Sequence, residues 1–356
     1  MNTLAEHVDV VIGIDTHKHT HTAALVSSTG AELRTVEVPT TAKGYAQIVQ
    51  LATAYPRERR AWAIEGVSSY GAGLCRVLRR LGERIIEIDH PARPARRNGA
   101  KTDALDAVRA AREALTRPHL GEPRRGDDRE ALRVLNATRE GAVHACTQAT
   151  NAVHALVVTA PEAIRDRLRE LSTTMLLRRC VNLRVMGHWP VERATVTALR
   201  CAARRAVALE AEANELQQAI AKIIDDVAPE LIAEHGVGPI TAAVVYCAWS
   251  HPGRHRSEAA FASLAGVAPI PASSGQTVRF RLNRRGDRQL NRALHTIVTT
   301  RLRADPDTLA YVAKRTTDGK TRPEIRRCLK RYVARDLYRI LERAATNTAQ
   351  TGRDAT

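Results

Sequence analysis

The sequence is poor in the residues and patterns that define several common classes of protein. Aromatic residues make up 3% of its 356 residues, which argues against the stacked aromatic platforms on which many single-strand-binding proteins hold bases. The six cysteines form no C-x-x-C pair, which argues against a zinc ribbon or a disulfide framework and favours the reducing cytoplasm. No secretory signal pattern is found, and no apolar run approaches the ~18 residues of a membrane span. We therefore expect no membrane partner.

Acidic residues are also scarce relative to basic ones. The formal net charge is +17, from 55 basic and 38 acidic residues, and nearly all of the basic residues are arginine. A charge of this size indicates a polyanionic partner, with nucleic acid first. Arginine presents a planar fork that matches phosphate oxygens. The composition therefore predicts a protein that contacts a nucleic-acid backbone.

Residues 6–118 predict an α/β domain organised around Asp15. The apolar, β-branched run at 8–14 predicts a buried strand that ends at Asp15. The pattern downstream predicts strands at 22–26 and 33–38, a helix at 45–54, a strand at 61–65, a helix at 71–81, a strand at 85–88 and a helix from 101 onward. The expected order is therefore β-β-β-α-β-α-β-α, with the first three strands antiparallel.

Four carboxylates occupy comparable positions in this pattern. Asp15 and Glu65 follow the first and fourth strands, and Asp103 and Asp106 share one face of the last helix. Converging carboxylates need compensating charge, and Mg²⁺ suits an all-oxygen site. Two such ions about 4 Å apart can hold both the attacking and the leaving oxygen of a phosphodiester.

Simpler interpretations of these acids stay open. Asp103 and Asp106 also suit the first turn of a helix, where the dipole favours negative charge, and Thr102 is a natural N-cap. Asp15 and Glu65 could be turn residues. The alternation of His17, His19 and His21 predicts three imidazoles on one strand face, interpreted here as a solvated face beside the site.

Residues 127–230 predict a helical region. Its second long helix carries an apolar seam with steps of three and four residues, as in a heptad repeat: Leu199, Ala202, Ala206, Leu209, Ala213, Leu216, Ile220, Ile223 and Val227. Such a seam packs either within a helical hairpin of one chain or across a dimeric coiled coil. Both interpretations are open at this point.

Residues 231–345 predict a mainly α domain, followed by a tail at 346–356 that is expected to be disordered. The Gly236-Val237-Gly238 turn between helices resembles a helix-hairpin-helix, whose exposed N–H groups bind phosphate, although a plain αα-turn is also possible. The segment 273–275 reads by itself as a loop. A basic ribbon follows it, and its candidate nucleic-acid ligands are Arg279, Arg281, Arg284, Arg285 and Arg288.

Several motifs together resemble one family. They are Gly13-Ile14-Asp15-Thr16-His17-Lys18, Ile64-Glu65-Gly66, Lys101-Thr102-Asp103-Ala104-Leu105-Asp106-Ala107, Ala265-Gly266-Val267 with Pro269, Ser274-Gly275, and Arg285-Gly286-Asp287. In this order they resemble the IS110 family of insertion-sequence transposases. One departure is Gly66, because the family often has Thr-Gly after the glutamate. The acid itself is retained.

The resemblance implies a fold and a mechanism. The first domain would be RuvC-like, with an RNase H fold in which Asp15, Glu65, Asp103 and Asp106 hold Mg²⁺. The serine directly before glycine, Ser274, would attack DNA and become covalently linked to it, with Ser273 as the neighbouring alternative. The family also implies a structured non-coding guide RNA, a DNA donor and target, and a homo-oligomer, either a dimer or a tetramer.

The sequence leaves two rival functions open. One is a metal-dependent, structure-specific endonuclease that hydrolyses junction DNA with water and uses the serine and arginine region only to hold DNA. The other is a basic nucleic-acid-binding protein without catalytic activity. Covalent attachment of DNA separates the transposase from the nuclease, and metal dependence separates both from the binding protein.

Overall fold

The chain forms two compact units, which are described separately. In this computed structural model, residues 3–88, 102–118, 120–184, 189–271, 280–281, 283 and 286–354 are described. Unit 1 comprises Met1–Arg124 and unit 2 comprises Arg125–Thr356. Within the described ranges, no helix has an apolar stretch long enough to cross a bilayer.

Unit 1 is built on a five-stranded mixed sheet with the strand order β3-β2-β1-β4-β5. The strands are β1 at Val10–Thr16, β2 at Thr20–Ser27, β3 at Glu32–Pro39, β4 at Arg60–Glu65 and β5 at Ile85–Ile88. β2 runs antiparallel to both β1 and β3, whereas β4 is parallel to β1 and β5. The predicted α/β arrangement of this half is confirmed. β1 extends further than predicted, because Asp15 and Thr16 still pair with β2.

Helices cover both faces of this sheet. The helices of unit 1 are α1 at Ala42–Gln50, α2 at Ala72–Arg80 and α3 at Asp103–Thr116. One core packs α1 and α2, through residues such as Ile48 and Leu74, against Ile12 and Trp62 of the sheet. The opposite core packs the alanine-rich face of α3 against the other side. The sheet is therefore buried on both faces, as its continuous apolar strands require.

The histidine alternation does not lie on one strand face, so that prediction is wrong. β1 ends at Thr16 and β2 begins at Thr20, which places His17 and His19 in the turn between the strands. His21 lies inside β2, where it is fully buried and stacks on Tyr45 with ring centroids 5.7 Å apart. Burial lowers the pKa of His21, which favours the neutral imidazole.

Unit 2 is almost entirely helical. Its helices are α4 at Asp127–Val158, α5 at Glu162–Leu168, α6 at Thr173–Val181, α7 at Pro190–Val227, α8 at Pro229–Ile232, α9 at Pro239–Trp249, α10 at Glu258–Leu264, α11 at Arg288–Ala304, α12 at Pro306–Thr317 and α13 at Arg322–Asp354. A short antiparallel pair, β6 at Ile270–Pro271 and β7 at Phe280–Arg281, precedes α11.

One hydrophobic core in unit 2 spans the two regions that the sequence suggested were separate. It joins the end of α7 to α9, α10, α11 and α13, through residues such as Ile224, Trp249, Phe261 and Leu294. α13 continues to Asp354, so it enters the segment expected to be disordered from residue 346.

The heptad seam of α7 packs within the chain. α7 lies along α4, and four seam residues spaced seven positions apart are buried, namely Leu199, Ala206, Ala213 and Ile220. The intervening positions, such as Leu209 and Leu216, are half-buried. The intrachain alternative therefore accounts for the buried half of the seam. A dimeric coiled coil stays a prediction.

Candidate functional site

Side chains alternate between the two faces of the sheet along β1 and along β4, and this alternation places two acids on the same face. Ile12 and Ile14 belong to the core under α1 and α2, whereas Val11 belongs to the core under α3. Since successive side chains alternate across a strand, Asp15 shares the face of Val11. By the same alternation Glu65 shares the α3 face of β4 with Ala63. Ile14 pairs with Ile64 in the parallel ladder, so the two acids occupy adjacent positions at the end of neighbouring strands.

A glycine lets α3 approach this face closely. A Cβ atom on Gly13 would lie 1.9 Å from the carbonyl oxygen of Ala107 and 2.8 Å from the backbone nitrogen of Ala111. Thr102 caps α3, since its Oγ1 accepts a hydrogen bond of 3.3 Å from the Leu105 N–H. The first turn of α3, which carries Asp103 and Asp106, is therefore held against β1.

The acids meet around Asp15 and His17. The His17 Nδ1 atom lies 3.3 Å from Asp103 Oδ2, and its Nε2 atom lies 3.8 Å from Asp15 Oδ2. One ligand atom from each of these three residues falls within a cluster no wider than 4.8 Å. Asp106 accepts a hydrogen bond of 2.8 Å from Arg109 one turn later in α3.

The chemistry of this cluster fits a divalent cation. A cavity of about 480 Å³ is lined by Asp15, Glu65 and Asp106 among others. Burial raises the pKa of Asp15, His17 opposes the rise, and the charges of Asp103, Glu65 and Asp106 add to it. Three acids whose charges disfavour ionisation of the half-buried Asp15 indicate a binding site for a cation with oxygen ligands. The structure thus brings together all four predicted acids.

Metal binding should be visible as a change in stability. Because its pKa is raised, ionised Asp15 destabilises the folded state at neutral pH without a cation, and this cost disappears as acid protonates it. We expect Mg²⁺ or Mn²⁺ to raise the melting temperature of the wild-type protein. At a metal concentration of a hundred times Kd, the free energy of unfolding should increase by about 2.7 kcal/mol. In EDTA, Asp15→Asn should melt above wild type and should lose the response to metal. A metal response that survives in this variant would contradict the assignment.

Two interactions at this site were not predicted from the sequence. His17 is exposed beside the site, as expected, but its nitrogen atoms also lie within 4 Å of carboxylate oxygens of Asp15 and Asp103. Arg109 was not singled out, although its spacing from Asp106 is that of an i, i+3 pair, which is the signal that could have found it. The position of His17 depends on where the turn after β1 falls, which the histidine alternation obscured.

Only part of the second predicted site can be placed. Ser273, Ser274, Arg279, Arg284 and Arg285 lie outside the described residues. Two of the five candidate arginines are described, and both are exposed: Arg281 in β7 and Arg288 at the start of α11. Their role in binding nucleic acid stays a prediction.

The Gly236–Gly238 turn is shaped by its own neighbours. Gly236 has a φ of +80°, and a Cβ there would lie 3.1 Å from the Ile297 carbonyl oxygen. The Gly238 N–H donates a hydrogen bond of 3.0 Å to Thr241 Oγ1. The positive φ and the close backbone approach give Gly236 a structural reason, whereas nothing lies within 4 Å of a Cβ at Gly238. Phosphate binding at this turn stays a prediction.

Gly266 and Gly286 lie where two backbone segments of unit 2 come into direct contact. A Cβ on Gly286 would lie 2.3 Å from the Gly266 nitrogen, so two backbone segments touch where the motifs meet. The Asp287 N–H donates to the Leu264 carbonyl at 2.7 Å, and its carboxylate caps α11 by accepting from the Leu290 N–H. Gly286 and Asp287 therefore join the start of α11 to the end of α10.

Comparison with known proteins gives a consistent result. Residues 12–160 match the model of an IS110-type DEDD transposase, described as "Transposase", and residues 230–313 match the "Transposase IS116/IS110/IS902 family". The uncharacterized 42 kDa protein of insertion element IS900 from Mycobacterium paratuberculosis is 26% identical over 361 residues, covering 86% of this chain and 89% of that protein. The uncharacterized 43.6 kDa protein of insertion element IS110 from Streptomyces coelicolor is 35% identical over 115 residues, which are 32% of this chain and 27% of that protein.

Proposed function

The chain belongs to the IS110 family of transposases, and we propose that it cuts and rejoins DNA through a serine nucleophile assisted by Mg²⁺. Family membership makes it a transposase of an insertion element, which acts on DNA. The nucleophile, the identity of the metal and the use of a guide RNA are the parts that we propose.

The convergence of Asp15, Glu65, Asp103 and Asp106 is the observation that carries this proposal. The acids come from β1, β4 and α3, and all three partners influence the charge of Asp15. The strand order β3-β2-β1-β4-β5, with only β2 antiparallel to its neighbours, supports an RNase H-like, RuvC-like fold for unit 1. A carboxylate site without thiolates suits Mg²⁺ better than a softer metal.

These side chains would act on the phosphodiester through charge and position. The four acids would hold the metal, which when bound neutralises charge on the phosphate and orients the attacking and leaving oxygens. Ser274 Oγ would form a bond to phosphorus while one P–O bond to the DNA breaks, and the serine proton would end on the departing oxygen, which becomes a hydroxyl terminus. Attack by a second DNA hydroxyl on this phosphoserine ester would then restore the serine. The bond energy is retained throughout, so strand joining needs no nucleotide cofactor.

We also propose a non-coding guide RNA and a homo-oligomer, a dimer or tetramer, as partners. The net charge of +17 supports contact with more than one nucleic-acid strand. The half-buried positions of the α7 seam, such as Leu209 and Leu216, are the residues that a second copy of the chain could cover further.

Covalent capture of DNA tests the serine directly. The protein is incubated with Mg²⁺, DNA that carries the element's junction, and the element's own non-coding RNA, and is then denatured. We expect labelled DNA to stay attached to wild-type protein and to Ser273→Ala, and the adduct to disappear in Ser274→Ala. Ser273→Ala is a matched control because it removes the same hydroxyl one residue earlier.

The rival nuclease gives a different pattern in the same assay. Hydrolysis by water would cut the DNA without an adduct, and cutting would survive Ser274→Ala. That result would overturn the proposed nucleophile and leave a metal-dependent endonuclease as the function.

A further inference from the structure

A basic cavity in unit 2 shares one residue, Arg281, with the predicted nucleic-acid ligands, and its other lining residues have no role in the proposed function. Its volume is about 570 Å³, and it is lined by the segment 266–269, by β7 and by α12 and α13. Its lining includes a single acidic residue, Glu324, among the described residues. The basic residues that line it are Arg281, Arg315, Lys320, Arg327, Lys330 and Arg331.

Within the described part of unit 2, two acids interact with these six cations. Arg315 pairs with Asp318 at 2.8 Å, and Glu324 accepts a hydrogen bond of 2.9 Å from the Thr321 N–H. The hydrogen bonds from Thr321, followed by the charges of Lys320 and Arg327, lower the pKa of Glu324. Among the residues that the structure describes, none forms an ion pair with Arg327, Lys330 or Arg331. The Arg331 Nε atom is buried and has no hydrogen-bond partner there. A buried donor without a partner is costly, so this atom, beside two cations that form no ion pair there, indicates an anionic ligand.

Lys330 is held in a defined position within the cavity. Its Nζ donates a hydrogen bond of 3.0 Å to Asn291 Oδ1, and the Asn291 amide donates at 2.7 Å to the Ala265 carbonyl. Burial, followed by the nearby charge of Arg327, lowers the pKa of Lys330. An ammonium group has three donors, so two stay available for a ligand after the contact with Asn291. The chain Ala265–Asn291–Lys330 therefore orients a cation toward the cavity.

The size and lining of the cavity favour one type of anion. Its volume is typical of pockets for small molecules, and it suits a short stretch of a single strand. Val267, Ala268 and Pro269 supply an apolar wall against which a sugar could pack. Several cations spread along two helices match successive phosphates better than one isolated anion.

We propose that this cavity binds the phosphodiester backbone of one nucleic-acid strand, with Arg327, Lys330 and Arg331 as phosphate ligands. The choice of a nucleic acid rests on the proposed function, whereas the anionic character of the ligand rests on the cavity alone. The three residues lie on one side of α13, at spacings of three and four.

Binding measured without metal tests this assignment apart from catalysis. Labelled single-stranded DNA and RNA of the same sequence are titrated with full-length protein in EDTA at several salt concentrations. We expect Arg327→Gln and Lys330→Gln each to weaken binding about tenfold and to reduce the salt slope by about 1. Arg326→Gln, an exposed arginine on α13 outside the cavity, should have little effect.

The variants also distinguish between the possible results. A loss confined to DNA or to RNA identifies the strand that the cavity holds. If Arg326→Gln weakens binding as much as the cavity variants do, the effect is general electrostatics and the proposal is wrong. Binding of inorganic phosphate, with no change in oligonucleotide affinity, would also overturn it. Lys330 is half-buried, so Lys330→Gln could weaken binding by destabilising the fold. Lys330→Arg, which keeps the charge, and Arg327→Gln, at an exposed position, control for this effect, and both should keep the wild-type melting temperature.

Failure of the serine mechanism would leave this test unaffected. The assay contains no metal and scores no cleavage, so its outcome does not depend on whether Ser274 is the nucleophile. Loss of binding in the cavity variants together with normal adduct formation would separate the strand-binding role from the chemistry.

Discussion

Asp15→Asn is expected to abolish metal-dependent DNA cleavage, with a loss of at least about a thousandfold in rate. Asp15 contacts His17 and senses the charges of Asp103, Glu65 and Asp106, so it occupies the centre of the candidate metal site. A metal at a phosphodiester supplies several kcal/mol of transition-state stabilisation, and about 4 kcal/mol corresponds to a thousandfold in rate. The measurement is the single-turnover cleavage rate of labelled junction DNA at saturating Mg²⁺.

A second aspartate next to the same strand provides the control. Asp9 directly precedes β1 and forms an ion pair with Arg59 at 2.5 Å, away from the acidic cluster. Asp9→Asn makes the same chemical change and should keep near-wild-type cleavage, since exposed ion pairs contribute ~1 kcal/mol or less to stability. Cleavage by Asp15→Asn within tenfold of wild type would show that the metal is held elsewhere.

Gly13→Ala is expected to be the most destabilising single-methyl change in unit 1. The added Cβ would lie 1.9 Å from the Ala107 carbonyl oxygen and 2.8 Å from the Ala111 nitrogen, and both are backbone atoms of α3. A helix backbone cannot rotate away as a side chain can, so α3 must shift as a whole. Overpacking a core costs about 1–3 kcal/mol, and we expect this substitution to reach or exceed the upper end.

Local unfolding gives the clearest measurement because the chain has two units. Hydrogen exchange followed by mass spectrometry should show faster exchange in β1 and α3 of Gly13→Ala, and the stabilisation by metal should weaken because Asp103 and Asp106 move with α3. Gly141→Ala is the control. Nothing lies within 4 Å of a Cβ at that helical position, so it should leave unit 1 unchanged and slightly stabilise α4. Unchanged exchange in α3 of Gly13→Ala would contradict the close packing.

Local patterns were sufficient to find the candidate metal site. The alternation of side-chain direction along β1 and β4 and the spacing of Asp103 and Asp106 depend on neighbours in sequence, so strand and helix geometry alone directs these acids to one region. The requirement for glycine at position 13 cannot be predicted from local sequence patterns. It depends on the Ala107 backbone, more than ninety residues later, and no local pattern reports such an approach.

The errors follow from the same distinction. The histidines suggested one face because their spacing suits a strand, but strand pairing places the turn among them and buries His21 beside Tyr45. The sequence of the α7 seam is compatible with packing within one chain or between two chains, because a heptad pattern specifies an apolar stripe but not the helix that packs against it. Packing against α4 in the same chain accounts for its buried positions.

The sequence by itself determined the α/β character of the first unit, the four candidate acids, the positive net charge and the family, because strand alternation, helix spacing, charge and motifs are local properties. Only the tertiary structure decided that His17 joins the acids, that two glycines cross where α10 meets α11, and that Arg327, Lys330 and Arg331 line one cavity. Each of these depends on contacts between residues far apart in the chain. Such contacts are selected by how whole helices and strands pack, so the cavity becomes visible only when α13 lies beside the segment at 266–269.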